Sequence, residues 1–230
     1  MDFVGIEKLS LVDYDGKLTC TLFMAGCNFR CPFCHNSDLV LDIYNCQPIP
    51  FEEIMDYLDR NKRKLEAVCI TGGEPTLMRD LKDKIIEIKK LGYLVKLDTN
   101  GTNLDVVKDL FENKLIDYVA MDIKNSEKAY ALTSGVDYQP FSKIKDTINY
   151  LMNCGIDYEF RTTLVDNYHT NESIKEMGEL INGAKKLFLQ KFVDSGRCIK
   201  DGLKEVPIEK AQEFKEILKA YVKQVELRGY

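Results

Sequence analysis

Three cysteines fall within eight residues of one another: Cys27, Cys31 and Cys34, in MAGCNFRCPFCHN. Their spacing is C-x3-C-x2-C. Three thiolates on so short a loop can hold three irons of a cubane iron–sulfur cluster, for which Cys thiolates are the usual ligands. The fourth iron is then left without a protein ligand. Like the open position of a catalytic zinc site, it can take a small molecule. The competing reading is a structural zinc loop with His35 or Cys46 as fourth ligand. Structural zinc sites usually pair two close ligands with a second, distant pair. No second pair is visible here, so the cluster is favoured, on the whole pattern rather than on the spacing alone.

Further polar motifs end other apolar runs. ITGGEP (residues 70–75) brings Gly72 and Gly73, whose lack of a Cβ permits close backbone approach. It also brings Glu74, whose carboxylate can accept from an ammonium group. Alone, GGEP is also a good turn; after a buried strand, in the same chain as the cysteine triplet, it means more. LDTNGT (97–102) offers Asp98, Thr99 and Asn100, or simply a turn with Thr102 or Asn103 as a helix cap. In MDIK, Asp122 and Lys124 share one strand face by alternation. That pair is costly in an interior without a ligand or partner, and it could equally be a surface ion pair. Arg161, within EFRTT, is either an edge residue or an anion clamp. Gln190 lies in LFLQKF.

These motifs need elements to position them. Short apolar runs rich in β-branched and aromatic residues at 18–24, 67–71, 93–98, 117–123, 157–164 and 186–192 predict strands. Helical periodicity lies between them. Phe51, Ile54, Met55 and Leu58 share one face, as do Leu81, Ile85, Ile88 and Leu91. Gly92, Gly155 and Gly183 read as helix stops, and Pro207 opens a last helix running to about residue 225. Six strands each followed by a helix imply parallel pairing with right-handed crossovers. The expected class is α/β, a partial (β/α)6 TIM-like barrel open on one side, short of the eight units that close a barrel. A doubly wound sheet is the alternative. Either architecture places the site at the carboxyl ends of the strands, where the polar motifs fall.

Composition sets the outer bounds. The 230 residues are 45% hydrophobic and 30% charged, ordinary for a globular protein and enough for one full core. A single domain over 1–230 is expected. The net charge of −5 argues against a general nucleic-acid binder. No run of 18 uncharged apolar residues occurs, so no transmembrane helix is expected. The N-terminus lacks a signal-peptide pattern, which points to a reducing cytoplasm, where thiols serve metals more often than disulfides. Of the other five cysteines, Cys20 and Cys69 fall in strand patterns and are expected in the core. Cys154 ends a helix, and Cys46 and Cys198 are loop residues with no assigned role. His169 is expected on a surface loop.

Taken together, the cysteine triplet with Phe33 before its last member, followed by GGEP, resembles the radical S-adenosylmethionine (SAM) enzymes. Within them the chain is most similar to glycyl-radical-enzyme activating enzymes, and above all to activating proteins of anaerobic ribonucleoside-triphosphate reductase. The segment from Gly5 to Asn36, TNGT, MDIK and LQKF carry this resemblance, which extends over essentially the whole chain. Asp15-Gly16 stands where the family commonly has Pro-Gly, in an early turn away from the cluster.

The resemblance implies that Cys27, Cys31 and Cys34 bind a [4Fe–4S] cluster whose fourth iron SAM chelates. It implies that Gly72, Gly73 and Glu74 hold the methionine amino group, and that Phe33 and His35 lie against the adenine. Asp98, Asp122 and Lys124 would line the SAM site, with room for a monovalent cation between the acids, and Arg161 would face the SAM carboxylate or sulfonium. A flavodoxin or ferredoxin would reduce the cluster. SAM would be cleaved to methionine and a 5′-deoxyadenosyl radical, which abstracts hydrogen from a glycine Cα of a partner enzyme. Two other readings stand beside this one: a radical SAM enzyme acting on a small molecule or peptide, such as a deazaguanine synthase, and a non-catalytic metal module. The last gives GGEP, MDIK and Arg161 no role.

Overall fold

The computed structural model describes residues 2–137, 141–194 and 196–230. The strands are β1 (Phe3–Ser10), β2 (Thr19–Met24), β3 (Ala67–Gly72), β4 (Leu94–Thr99), β5 (Tyr118–Asp122), β6 (Asp157–Leu164), β7 (Lys186–Lys191) and β8 (Gln224–Arg228). The helices are α1 (Ser37–Leu41), α2 (Phe51–Asn61), α3 (Leu81–Lys90), α4 (Leu104–Glu112), α5 (Tyr130–Ser134), α6 (Phe141–Asn153), α7 (Asn171–Leu180) and α8 (Ile208–Leu218). The six expected strands are β2 to β7, and each is followed by one of α2, α3, α4, α6, α7 and α8. Strand order follows chain order from β1 to β8. A doubly wound sheet would reverse its order partway, so among the described residues this is the strand order of an opened (β/α)6 barrel.

Two compact units divide the chain. The first comprises Met1–Asn28, Asp38–Thr99 and Asn103–Ala120. In it β1 runs antiparallel to β2, and β2, β3 and β4 pair in parallel. Cys20, Leu22 and Met24 of β2 and Ala67 to Ile70 of β3 are fully buried, as parallel strands covered on both faces must be. Ile54 and Leu58 of α2, and Leu81, Ile85 and Ile88 of α3, are the buried helix positions. Gly92 ends α3 with φ +91°, a conformation that favours glycine.

The second unit comprises Phe29–Ser37, Asn100–Thr102 and Met121–Tyr230. In it β6, β7 and β8 are parallel. A capping box between Thr170 and Ser173 starts α7, and Pro207 precedes α8. Gly155 and Gly183 take positive φ as expected of helix stops.

Two outcomes differ from expectation. Strands β1 and β8 are additional to the six expected. The last helix ends at Leu218, and Gln224 and Val225, expected in it, belong to β8. Among the described residues no helix is long and apolar enough to cross a membrane.

Leu22, enclosed on both faces of β2, sets a measurable scale. Leu22→Ala is expected to cost about 2–5 kcal/mol, read as a lower urea midpoint with an unchanged slope.

Candidate functional site

In the first unit the end of β2 meets the end of β3. The Gly73 amide donates to the Met24 carbonyl (2.8 Å) and the Glu74 amide to the Gly26 carbonyl (2.8 Å). A Cβ on Gly73 would stand 1.9 Å from Gly26 O, and one on Gly72, where φ is +113°, would stand 2.4 Å from Met24 N. The paired glycines therefore let one stretch of backbone lie on another. The stretch they meet leads directly into Cys27, which is half-buried.

Glu74 is fully buried. Its Oε1 accepts from the Thr76 amide (3.2 Å), the Thr76 hydroxyl (2.6 Å) and the Thr99 hydroxyl (2.8 Å). The carboxylate thus joins the turn after β3 to the end of β4. Asp98, also buried, lies beside Lys96 on β4. Asn103 precedes α4 without a side-chain cap bond, and its amide donates instead to the Thr76 carbonyl.

In the second unit Asp122, Lys124 and Arg161 form one charged group. Lys124 Nζ lies 3.0 Å from Asp122 Oδ2, and Arg161 Nε 2.9 Å from Asp122 Oδ1. Alternation along the chain aligns the first pair. Arg161 is brought beside them where the Ile123 amide donates to the Arg161 carbonyl. Burial works to raise the Asp122 carboxyl, but the Arg161 guanidinium and Lys124 ammonium outweigh it and hold its pKa at about 2. Burial acts to lower Lys124, and Asp122 and Cys31 overcome it, so its pKa is raised.

Cys31 and Cys34 lie in this unit. The Cys34 amide donates to the Cys31 carbonyl (3.0 Å), closing a turn. Burial pushes the Cys31 thiol up to about 11, with Lys124 pulling the other way, and burial raises Cys34 likewise. The cluster loop is latched to the end of α5: the Arg30 amide donates to the Ser134 carbonyl (2.9 Å), and Gly135, with φ +69°, leaves no room for a Cβ against Arg30 O.

Phe33 is buried with its ring 6.2 Å from that of Tyr168. His35 is exposed; its Nε2 donates to the Val193 carbonyl (2.9 Å), and its ring lies 5.8 Å from that of Phe192.

His169 is fully buried, not on the surface. Its Nδ1 accepts from the Val165 amide (3.0 Å), so Nε2 carries the proton and donates to the Lys124 carbonyl (3.1 Å). A histidine in a polar loop gives no local sign of this. The partner is set by where β5 ends.

Cysteine thiolates suit iron–sulfur clusters, and metal binding removes the protons that buried thiols otherwise keep. The Lys124 charge lowers the Cys31 pKa against the effect of burial, and so favours its thiolate. The donor set therefore fits a cluster. The net +1 of Asp122, Lys124 and Arg161 fits an anionic group such as an amino-acid carboxylate.

Comparison with known proteins agrees. The model of the radical SAM superfamily matches residues 21–182, and the chain belongs to that superfamily. A Methanocaldococcus jannaschii protein named as a glycyl-radical enzyme activating enzyme is 33% identical over 97% of this chain and 94% of its own. That match places the chain in the activating-enzyme group of the superfamily. A 7-carboxy-7-deazaguanine synthase of Hyperthermus butylicus is 35% identical over 42% of each chain. Streptococcus suis SuiB is alike in fold, with a TM-score of 0.70 at 18% identity over 91% of this chain and 48% of that one. The chain is accordingly a radical SAM enzyme, whose cofactors are a [4Fe–4S] cluster and SAM.

Two outcomes are expected from this geometry. Gly73→Ala forces backbone apart and lowers stability by more than about 1 kcal/mol, with a smaller iron content after anaerobic reconstitution. For His169, burial depresses the ring's pKa below its ordinary value. The native state then binds fewer protons than the unfolded chain, and stability falls as pH drops below about 6.5. The stability advantage of the wild type over His169→Gln, from urea melts at pH 7.5 and pH 5, shrinks at the lower pH.

Proposed function

We propose that this chain generates the glycyl radical of an anaerobic ribonucleotide reductase. The observation that carries its cofactor chemistry is the second unit's charged group of Asp122, Lys124 and Arg161, whose Lys124 acts on Cys31. The name of the M. jannaschii relative supports a glycyl-radical enzyme as the substrate. Cys27, Cys31 and Cys34 hold the cluster. Together the bound cluster and SAM supply one-electron cleavage of SAM and hydrogen-atom abstraction at a glycine Cα.

The chain's own residues bind and orient. Gly72, Gly73 and Glu74 receive the methionine amino group. Arg161 and Lys124 receive its carboxylate, held in place by Asp122. Phe33 and His35 border the adenine, and Asp98 lines the site. Residues 1–230 act as one radical SAM domain in the cytoplasm, with a flavodoxin or ferredoxin as electron donor and neither nucleic acid nor membrane as a partner. An activity on a small molecule is the second reading, favoured by the deazaguanine synthase match.

The test is anaerobic reconstitution to about four irons per chain, then reduction with SAM, then co-incubation with the reductase. A glycyl-radical EPR doublet in the reductase is expected. SAM cleavage without a doublet turns the reading toward another substrate, and no cleavage rejects both. Arg161→Met is expected to weaken SAM binding by about tenfold or more, as loss of a charge-assisted hydrogen bond of about 1.5–3 kcal/mol requires.

A further inference from the structure

Two groups of large apolar side chains stand in solvent in the first unit. One is Leu9, Leu11 and Val12, where the chain leaves β1 to turn back toward β2. The other is Leu41, Ile43 and Tyr44, at the end of α1 and just beyond it. Tyr44 is 93% exposed and Leu41 56%. Single exposed apolar residues need no account, but clustered ones mark contact surfaces.

The second group is held firmly. Val40 is buried and anchors α1. The Asp42 amide donates to the Asp38 carbonyl (3.1 Å), and the Asn45 amide to the Asp42 carbonyl (3.1 Å). The Asn45 side-chain amide also donates to Asp42 Oδ1 (2.7 Å), and the Cys46 thiol to the Asp42 carbonyl (3.5 Å). Further on, the Ile49 amide donates to the Phe3 carbonyl (2.8 Å) and ties the chain back to β1. A segment bonded this closely is ordered by folding, so little entropy remains to be lost when a partner covers it. Tyrosine is among the residues that most often anchor such contacts.

Position separates the two groups. The Gly26 amide donates to the Leu39 carbonyl (2.7 Å), so α1 lies against the residue before Cys27. Strand β2 runs from the Leu11 turn toward Cys27, and the two apolar groups sit at its opposite ends. A protein that is to lose a hydrogen atom from a glycine Cα must bring that carbon to the cluster site. Its surface then covers the surface beside the cluster ligands, where the Tyr44 group stands and the Leu11 group does not. From Asp38 to Pro50 the charged residues are Asp38 and Asp42 alone, both exposed acids. The complementary surface is apolar with a rim of Lys or Arg.

We propose that Leu41, Ile43 and Tyr44 are the docking surface for the protein substrate, and that they seat in an apolar pocket of it rimmed by basic residues. The inference rests on the reading that the substrate is a glycyl-radical enzyme.

The test titrates the reductase against reconstituted wild type, Tyr44→Ser, Asp38→Lys and Leu11→Ser, scoring the glycyl-radical EPR signal. Tyr44→Ser is expected to raise the half-saturating reductase concentration about tenfold or more. Its iron content and its SAM cleavage without reductase are expected to match the wild type. Leu11→Ser is expected to match the wild type throughout. Half-saturation of Tyr44→Ser within about twofold of wild type overturns the surface, and so does an equal loss in Leu11→Ser.

Asp38→Lys removes no apolar area and tests the rim. It is expected to raise half-saturation about threefold or more at low ionic strength and to converge on the wild type at high salt. No change at low ionic strength overturns the basic rim. Wild type that cleaves SAM yet yields no radical at any reductase concentration sinks the functional reading, and the docking surface falls with it.

Discussion

A carboxylate taken out of water must bring its counter-charges with it. Asp122 does so twice over, with Lys124 from its own stretch of chain and Arg161 from β6. Much of the second unit's chemistry stems from that requirement. The period of two along MDIK aligns the first partner. The backbone bond from Ile123 to Arg161 delivers the second. The positive excess left over is what reaches toward Cys31 and favours an anionic ligand. His169 then fixes the carbonyl of Lys124 from behind, so the lysine is held at both its main chain and its side chain.

The six inner strands and their helices are readable because burial on both faces imposes unbroken apolar runs, as in AVCIT, and because α2 and α3 keep a 3.6-residue stripe. The strand bounds fall within a residue of expectation, whereas the last helix stops at Leu218 rather than near residue 225. The edge strands are not readable. β1, FVGIEKLS, is mostly half-buried or exposed and mixes charge with apolar residues. β8, QVELR, is short, half-wet and continues a helix-like composition. An edge strand needs only one partner, so little in its own residues announces it.

The site is legible to a similar depth. Cys27, Cys31 and Cys34, GGE, Asp122 with Lys124, and Arg161 all stand out by type and spacing, and the structure joins the last three into one group. Buried polar residues whose partners come from distant chain are not legible: Lys96 against Asp13, and His169 against Lys124. Lys96 does interrupt an apolar run, LVKLDT, and with Asp98 two places on, that interruption is the available signal. The glycines of GGEP suggest room for a ligand. In the first unit they also permit a backbone crossing.

The hairpin of β1 and β2 has one more consequence. β2 is hydrogen-bonded along both sides, antiparallel to β1 and parallel to β3, and its end is pinned by the Gly73 bond to Met24. Such a strand does not fray, and its amides exchange with solvent only through large-scale opening. Gly26 and the residue after it are therefore set before any iron arrives. The first thiol of the triplet thus follows a strand end whose position folding has already fixed.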